Sequence, residues 1–389
     1  MSVRWHPGAT RTRLRSSVAA RVRERVEAPA LAVLSPAERR VRVREEVLSA
    51  LADERAVLPA REVTRLVNEV SDEVVGLGPI ESLLKDPEVM EVMVNGADDV
   101  YVERGGRLER VERGLFEGEE SVHHLIERVI GPLGLRVDES CPYVDARLPD
   151  GSRLHAVIPP LSLCGPVVTV RKFGTTPIGP RDLLRLGSLT GPMLEHLAEA
   201  VRDRANVLIS GGASSGKTTL LGAMASFIPP GERVITIEDA AELRVPLPHL
   251  VRLEARPPNV EGRGGVTVRD LVRNALRMRP DRILIGEVRG GEALDMLQAM
   301  NTGHEGSMCT AHANSPHELV ARLETMALMS DVRLPVTHVR EQIASTLDLI
   351  VQTERRPDGH RLVSRITAVR GMSDGAVRLE DVFRQGGRV

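Results

Sequence analysis

The segment GGASSGKT, residues 211–218, matches the phosphate-binding pattern G-x-x-x-x-G-K-[ST]. Residues 206–210 before it form a short apolar run typical of a buried strand, and residues 218–227 after it have helical spacing. Small residues let backbone N–H groups close around a phosphate, and the start of a helix adds positive potential. A chance match in a glycine-rich turn is the alternative, but the strand, turn and helix order favours nucleotide binding. The predicted nucleotide-binding residues are Gly211, Gly212, Ala213, Ser214, Ser215, Gly216, Lys217, Thr218 and Thr219.

The chemistry of this pattern specifies the ligand further. Lys217 would contact the β- and γ-phosphates, and the Thr218 hydroxyl would bind Mg²⁺. We therefore expect ATP and Mg²⁺ as the cofactors.

Composition limits the class of protein. A chain of 389 residues with 42% hydrophobic and 27% charged residues is typical of a globular protein of two or three domains. Its net charge of −2 and aromatic content of 2% argue against wholesale nucleic-acid binding and against an aromatic platform for single strands. Cys141, Cys164 and Cys309 lack metal-ligand spacing, so we expect reduced thiols in a cytosolic protein. No apolar run approaches 18 residues, so we expect neither a membrane span nor a secretory signal.

The N-terminal quarter is helical in pattern. Residues 1–35 form an arginine-rich arm that we expect to be disordered, although Leu14, Val18 and Val22 have the spacing of a basic amphipathic helix. Residues 36–75 follow a helix-start signal at Ser35 to Glu38 and carry apolar helical faces. Such faces need partners, so we predict a small helical bundle segment.

Three further regions follow. Residues 76–173 alternate short strands, turns and a helix, which predicts a separate α+β domain, and residues 174–180 resemble a domain linker. Residues 181–389 alternate strands and helices, which predicts an α/β domain with a mainly parallel sheet and helices on both faces. The last apolar runs, at 349–353, 361–369 and 376–383, predict antiparallel edge strands.

Carboxylates follow two of the predicted strands. Glu238 and Asp239 end the run at residues 233–238, and Glu287 follows the run at 282–286. Ligands of such sheets bind at the carboxyl ends of the strands, so we expect these groups beside the phosphate loop. A helix cap or a solvated turn is the ordinary alternative for one such residue. We predict that Glu238 and Asp239 contribute to the Mg²⁺ site, partly through water.

The third candidate stretch is NTGHEGSMCTAHAN, residues 301–314, which places His304 before a strand and His312 after it. Such histidines could sense the γ-phosphate or line the attacking water. Two alternatives remain open: a zinc site made by His304, Glu305 and His312, and histidines with a structural role.

The ordered set GGASSGKTT, ITIEDAAEL, RPDRILIGEVRG and NTGHEGSMCTAHANSP resembles the type II/type IV secretion ATPase superfamily. Upstream, RVDESCPYVDARLPDGSRLHAVIPP and VVTVRKF are similar to the CpaF-like branch that powers Tad-type pili. The resemblance covers residues 76–383 and implies a RecA-like ATPase domain, a homohexameric ring motor and ATP hydrolysis.

The resemblance also assigns roles to residues. It implies that Glu242 helps to position Mg²⁺ or water, that Glu287 orients the attacking water, and that Arg289 ties a neighbouring element. His304 and His312 would report the γ-phosphate. The N-terminal domain would supply arginines to the phosphates, with a plain surface charge as the alternative for each. The arginine candidates are Arg136, Arg147, Arg153 and Arg171.

Two departures from the family pattern stand in the sequence. The four-cysteine zinc insertion of some relatives is missing, and Gly286 rather than an aspartate precedes Glu287. The resemblance implies an integral inner-membrane platform protein as partner, peripheral association with the cytoplasmic face of the plasma membrane, and no specific nucleic acid. A DNA-translocating conjugation motor and a nucleotide-binding regulator without useful hydrolysis are the rival functions.

Overall fold

The structure is a computed structural model that describes residues 7–26, 34–54, 58–111, 114–172, 178–257, 263–332, 334–384 and 387–388. The chain divides into two compact units, Met1–Gly174 and Thr175–Val389. This division lies at the start of the linker predicted at 174–180, of which residues 174–177 fall outside the described residues. No helix among the described residues is long and apolar enough to cross a bilayer.

The first unit opens with helices that pack on one another. Helix α2 begins with a capping box, because the Ser35 side chain accepts the Glu38 N–H while the Glu38 carboxylate accepts the Ser35 N–H. Buried residues from each helix, such as Val18, Val47 and Leu66, form one apolar cluster. The three helices are α1 (Pro7–Arg25), α2 (Pro36–Asp53) and α3 (Ala60–Val75).

The helix α1 corrects the expectation of a disordered arm over residues 1–35. The amphipathic alternative describes residues 7–25, because Val18, Ala19 and Val22 are fully buried against α2 and α3. Burial of this apolar stripe supplies the stability that an isolated basic helix lacks. Residues 1–6 and 27–33 of the predicted arm lie outside the described residues.

The rest of the first unit is an antiparallel sheet with a helix against one face. Its described strands run in the order β3-β2-β1-β6-β5-β4. Helix α5 packs Leu125 and Ile126 against Val92 and Val170 of the sheet. The elements are α4 (Glu81–Lys85), β1 (Val89–Asn95), β2 (Asp99–Arg104), β3 (Arg107–Arg110), α5 (Glu119–Ile130), β4 (Tyr143–Arg147), β5 (Arg153–Val157) and β6 (Val167–Arg171), with short 3-10 turns at Gly78–Ile80 and Gly131–Leu133.

The second unit is a mixed sheet between helices, and it has the predicted RecA-like α/β architecture. Its described strands run in the order β15-β14-β13-β12-β7-β11-β10-β8-β9. The elements are α6 (Pro180–Arg185), α7 (Gly191–Arg202), β7 (Val207–Gly211), α8 (Lys217–Ala225), β8 (Val234–Glu238), β9 (Leu250–Glu254), α9 (Val268–Ala275), β10 (Arg282–Val288), α10 (Glu292–Asn301), β11 (Met308–His312), α11 (Pro316–Leu328), α12 (Val336–Thr346), β12 (Leu349–Arg355), β13 (Arg361–Ser373), β14 (Ala376–Arg384) and β15 (Gly387–Arg388).

Helices cover both faces of this sheet. One core cluster joins residues of α9 to α12 to the sheet, and the other joins residues of α6 to α8 to the opposite face. Strands β7 and β8 are buried along their whole length, as expected for parallel strands covered on both sides.

The C-terminal strands differ from the prediction of antiparallel edge strands. β12 pairs in parallel with β7 and antiparallel with β13, so it lies inside the sheet. The burial of Leu349, Ile350 and Val351 explains this position. A strand with apolar side chains on both faces is stable inside a sheet, where helices cover both faces. β13 and β14 continue the sheet as an antiparallel hairpin.

Candidate functional site

The phosphate loop connects β7 to α8 through two glycines that no other residue type could replace without strain. A Cβ on Gly211 would stand 2.2 Å from Thr353 Oγ1 and 2.5 Å from Ser215 Oγ. Gly216 has a φ of +94°, in the left-handed region that favours glycine. The loop is therefore closed tightly against β12, and α8 begins immediately after the second glycine.

Lys217 lies inside this loop. Its side chain is buried, and Nζ donates to Gly211 O at 3.2 Å and to Gly212 O at 2.9 Å. Ser215 is also buried, and its hydroxyl contacts Gly212 O at 2.9 Å and Thr353 Oγ1 at 2.8 Å. The loop carbonyls thus hold the ammonium group inward. Of the remaining predicted loop residues, Ala213 and Ser214 are exposed at the tip, and Thr218 and Thr219 are half-buried in the first turn of α8.

The carboxylate of Glu238 ends strand β8 and is buried. Oε2 accepts the backbone N–H groups of Glu242 and Leu243, each at 2.7 Å, while Oε1 has no hydrogen-bond partner. Burial raises the pKa of Glu238, and the two backbone hydrogen bonds offset part of that rise. Asp239 is exposed and Glu242 half-buried on the loop that follows. The inward group of this acidic box is therefore Glu238.

Glu287 lies between a histidine and an arginine near the end of β10. Its Oε2 accepts Arg289 Nε at 2.8 Å and also contacts Arg289 Nη2. His312 Nε2 stands 2.7 Å from Glu287 Oε1, although without the alignment of a hydrogen bond. Arg289 Nη1 also lies 3.8 Å from Asp239. One oxygen of the glutamate is thus hydrogen-bonded to the residue that follows β10, and the other lies beside the last residue of β11.

Electrostatics link this group to the loop lysine. Burial lowers the pKa of His312, Glu287 opposes that shift, and the charges of Lys217 and Arg289 add to it. Burial also lowers the pKa of Arg289, but the hydrogen bond and charge of Glu287 outweigh it and leave the pKa raised. His312 is paired in register with Gly211. Lys217, Glu287 and His312 therefore meet at one edge of the sheet.

His304 is not part of this edge within the chain. Strands β7 and β11 run in parallel from Val207 and Met308, so the loop follows their carboxyl ends while His304 precedes the amino end of β11. The His304 ring contacts Ala299 O at 3.2 Å, near the end of α10. The prediction that it reports the γ-phosphate is wrong for a single chain. The zinc alternative fails for the same reason, because His304 and His312 flank opposite ends of a strand.

The arginines predicted in the first unit form a row on its sheet. Arg147 pairs in register with Arg153, and Arg153 pairs with Arg171. Directly paired residues point to the same face, and this is the face opposite the apolar cluster that contains Leu154 and Val170. Arg136 lies outside this row, in an ion pair with Asp138.

Two residues that contact the phosphate loop were missed by sequence reasoning. Thr353 on β12 bonds to Ser215, and Arg361 at the start of β13 donates from Nε to Ser214 O at 2.8 Å. Both are more than 130 residues from the loop, and the misassignment of β12 as an edge strand concealed their position. An apolar run long enough to be buried on both faces was the available signal.

The donor set fits a nucleotide with Mg²⁺. The inward Lys217 ammonium and the small residues around it fit a phosphate group. The unpartnered, buried Oε1 of Glu238 is a hard oxygen ligand on the sheet face that packs against α8, and Thr218 offers a hydroxyl in the first turn of that helix. These two residues could hold the ion, directly or through water.

Comparisons with known proteins agree with this geometry. Residues 73–365 match the family model described as "Type II/IV secretion system protein". Protein Rv3659c of Mycobacterium tuberculosis strain H37Rv is 38% identical over 345 residues, which cover 83% of this chain and 97% of the relative. The conjugal transfer protein TrbB of Rhizobium radiobacter is 32% identical over 287 residues, with 72% and 83% covered.

A solved structure gives the same fold. The ATPase DotB of Yersinia pseudotuberculosis aligns with a TM-score of 0.55 over 74% of this chain and 78% of its own, at 16% identity. At this identity the likeness concerns the fold alone.

Proposed function

Since the chain belongs to the type II/IV secretion system protein family, we propose that it is an ATP-hydrolysing motor of a Tad-type pilus or related secretion system. In this proposal it assembles as a homohexamer at the cytoplasmic face of the plasma membrane. There it works against an integral inner-membrane platform protein that moves pilin or another substrate. The observation that carries the proposal is the meeting of Lys217, Glu287 and His312 at the carboxyl edge of one parallel sheet.

Each of these groups has a role in phosphoryl transfer. Lys217 and the backbone N–H groups of residues 212–217 bind the β- and γ-phosphates and stabilise the charge that develops on them. Glu287 accepts a hydrogen bond from the attacking water and orients it. To do so it must give up one of its present contacts, with Arg289 or with His312. His312, neutral because its pKa is lowered, can then hydrogen-bond the γ-phosphate or the water.

Mg²⁺, when bound, would neutralise phosphate charge and orient the β- and γ-phosphates. Thr218 would ligate it directly, and Glu238 would accept hydrogen bonds from its water shell through the unpartnered Oε1. Asp239 and Glu242 would act at the rim of the site, since neither is fully buried.

The arginine row of the first unit is the observation behind a proposed contribution of that unit to ATP hydrolysis. Arg147, Arg153 and Arg171 stand directly opposite one another on three successive strands, and Glu91 stands opposite Arg171 on the next strand. Guanidinium groups aligned in this way suit the charge and geometry of a polyphosphate. We propose that this row stabilises transition-state charge only when the two units close on the nucleotide, which couples hydrolysis to movement. Arg136 would first have to leave Asp138.

The conjugation motor remains the second candidate because TrbB is a conjugal transfer protein. It predicts DNA-stimulated turnover, which the net charge of −2 does not favour. The regulator alternative predicts nucleotide binding with no difference in turnover when Glu287 is replaced.

Steady-state ATP hydrolysis by wild type and Glu287→Gln tests the proposal. We expect the substitution to lower kcat by about 10²- to 10⁴-fold, the usual contribution of a positioned general base. Glu305→Gln makes the same chemical change at an exposed position at the other end of β11 and should leave kcat unchanged. Equal rates in wild type and Glu287→Gln would refute the motor mechanism. ATPase assays with and without double-stranded DNA distinguish the conjugation motor from the pilus motor. The native mass of the protein in the presence of an ATP analogue and Mg²⁺ tests whether it forms a hexamer.

A further inference from the structure

The β12–β13 hairpin is hydrogen-bonded to the end of β7 and to the phosphate loop. Gln352 contacts the Ser210 hydroxyl, Thr353 contacts the Ser215 hydroxyl at 2.8 Å, and Arg361 Nε donates to Ser214 O at 2.8 Å. The first contact holds the strand before the loop, and the second holds Ser215 within it, both through buried groups. The third holds its exposed tip.

The tip residue is in an unusual backbone conformation. Ser214 has a φ of +54°, and non-glycine residues adopt this left-handed region at a cost in free energy. A hydrogen bond from a guanidinium is one of the stronger kinds, because the donor is ionised. The bond from Arg361 to the carbonyl of Ser214 therefore acts at the residue where the loop stores backbone strain.

The arginine itself is held over the loop. Arg361 Cδ lies 3.6 Å from the position a Cβ on Gly216 would take, so its stem packs beside the second loop glycine. The turn before it is fixed by His360, whose Nε2 contacts Leu186 O at 2.9 Å. Arg355 stands directly opposite Arg361 in the β12–β13 ladder.

We propose that Arg361 is a positioning residue for the phosphate loop. It keeps Ser214 in the left-handed conformation, so that the N–H groups of the loop are already directed inward when a nucleoside triphosphate arrives. This inference rests on the proposed function, since it assumes that the loop binds nucleotide. Preorganisation of this kind raises affinity because the loop is not ordered at the moment of binding.

Isothermal titration of the full chain with ATPγS and Mg²⁺ tests the inference. Arg361→Gln should raise the Kd by about tenfold, the size expected for loss of one charge-assisted hydrogen bond. In hydrolysis assays it should raise KM in proportion and leave kcat within about threefold, because Arg361 acts before the chemical step. Arg370→Gln removes an exposed arginine of β13 that pairs with Glu380 of β14, and its Kd should stay within about twofold of wild type.

Two further variants separate positioning from charge. Arg361→Lys keeps the charge but lacks the Nε–H group, so it should behave like Arg361→Gln, and wild-type affinity in this variant would overturn the inference. Ser214→Gly removes the backbone strain, so Arg361→Gln should cost much less affinity in the Ser214→Gly background, whereas strictly additive effects would overturn the inference. If the wild type fails to bind ATPγS, the proposed function fails. If it binds and Arg361→Gln binds equally well, only the role of Arg361 fails.

Discussion

Buried polar residues at the two ends of the parallel strands in the second unit differ in their hydrogen bonding. At the amino end, Arg282 is fully buried and donates to both carboxylate oxygens of Glu232, at 2.7 and 3.0 Å, and to Val201 O. At the carboxyl end of the adjacent strand, Glu238 is equally inaccessible but leaves Oε1 without a partner. Arg282 and Glu232 are hydrogen-bonded to each other, whereas Oε1 of Glu238 has no hydrogen-bond partner.

A second pair of residues is hydrogen-bonded at both ends of the strand, but to different kinds of partner. Asn206, before β7, uses both ends of its amide, donating to Thr346 O at 2.8 Å and accepting Gly306 N–H at 2.9 Å. Lys217, after β7, is held by two carbonyls of its own loop. Satisfied buried groups stabilise and specify a fold, and a buried carboxylate oxygen without a hydrogen-bond partner is a candidate ligand-binding group. Under the proposed function, Arg282 at the amino edge serves stability and Glu238 at the carboxyl edge serves ligand binding.

The largest effect on stability should come from breaking the amino-edge network. Arg282→Met removes the guanidinium donor to Val201 O and leaves Glu232 with Arg204 at 3.7 Å in place of two guanidinium hydrogen bonds. We expect a loss of about 3–5 kcal/mol in the free energy of unfolding. Urea unfolding followed by circular dichroism measures this loss. Arg277→Met, at an exposed position, should change stability by about 0.5 kcal/mol or less. If Arg282→Met lowered the free energy of unfolding as little as the control does, the amino edge would have no special role in stability.

Glu238→Gln should have the opposite profile. The raised pKa of Glu238 means that the folded state opposes its ionisation, so its contribution to stability declines as pH rises above the usual carboxyl range. The amide has no charge to bury, and we expect it to be at least as stable as wild type at pH 8. Its half-saturating Mg²⁺ concentration for hydrolysis should rise by about 10- to 100-fold. Lower stability with an unchanged Mg²⁺ dependence would mean that Glu238 stabilises the fold and does not bind the ion.

A smaller effect should appear in the pH dependence of His312. Burial lowers the pKa of this imidazole, so the unfolded chain takes up the proton first as pH falls. The stability that neutral His312 contributes is thus present above the usual histidine pKa and is lost as pH falls through the lowered value. Thermal unfolding between pH 8 and pH 5 should show wild type losing stability relative to His312→Asn. Parallel curves would mean that His312 titrates alike in both states.

The residues at the carboxyl edge could largely be predicted from the sequence, because local patterns determine where the loop and the strand ends lie. GGASSGKT specified the loop, and the apolar runs ending in Glu238 and Glu287 placed those carboxylates at the loop edge. His304 was misplaced although the necessary pattern was visible, since a residue before a parallel strand cannot stand at its carboxyl end.

Long-range contacts were beyond local reasoning. The contact between Arg361 and Ser214 depends on β12 inserting beside β7, and no spacing along the chain encodes it. The helix over Pro7–Arg25 depends likewise on tertiary burial of Val18 and Val22, which outweighs its polar composition. The satisfaction of Arg282 by Glu232 is also set by packing rather than by propensity.

The most direct test of the central claim, that the carboxyl edge is an anion site completed by nucleotide, is a thermal shift with Lys217→Ala. Saturating ADP with Mg²⁺ should stabilise wild type by roughly 3 kcal/mol at about 100 times the Kd, and should not stabilise Lys217→Ala. Lys85→Ala, which removes a surface lysine paired with Asp72 in the first unit, should retain the full shift. Equal stabilisation of wild type and Lys217→Ala, or none of wild type, would contradict the account.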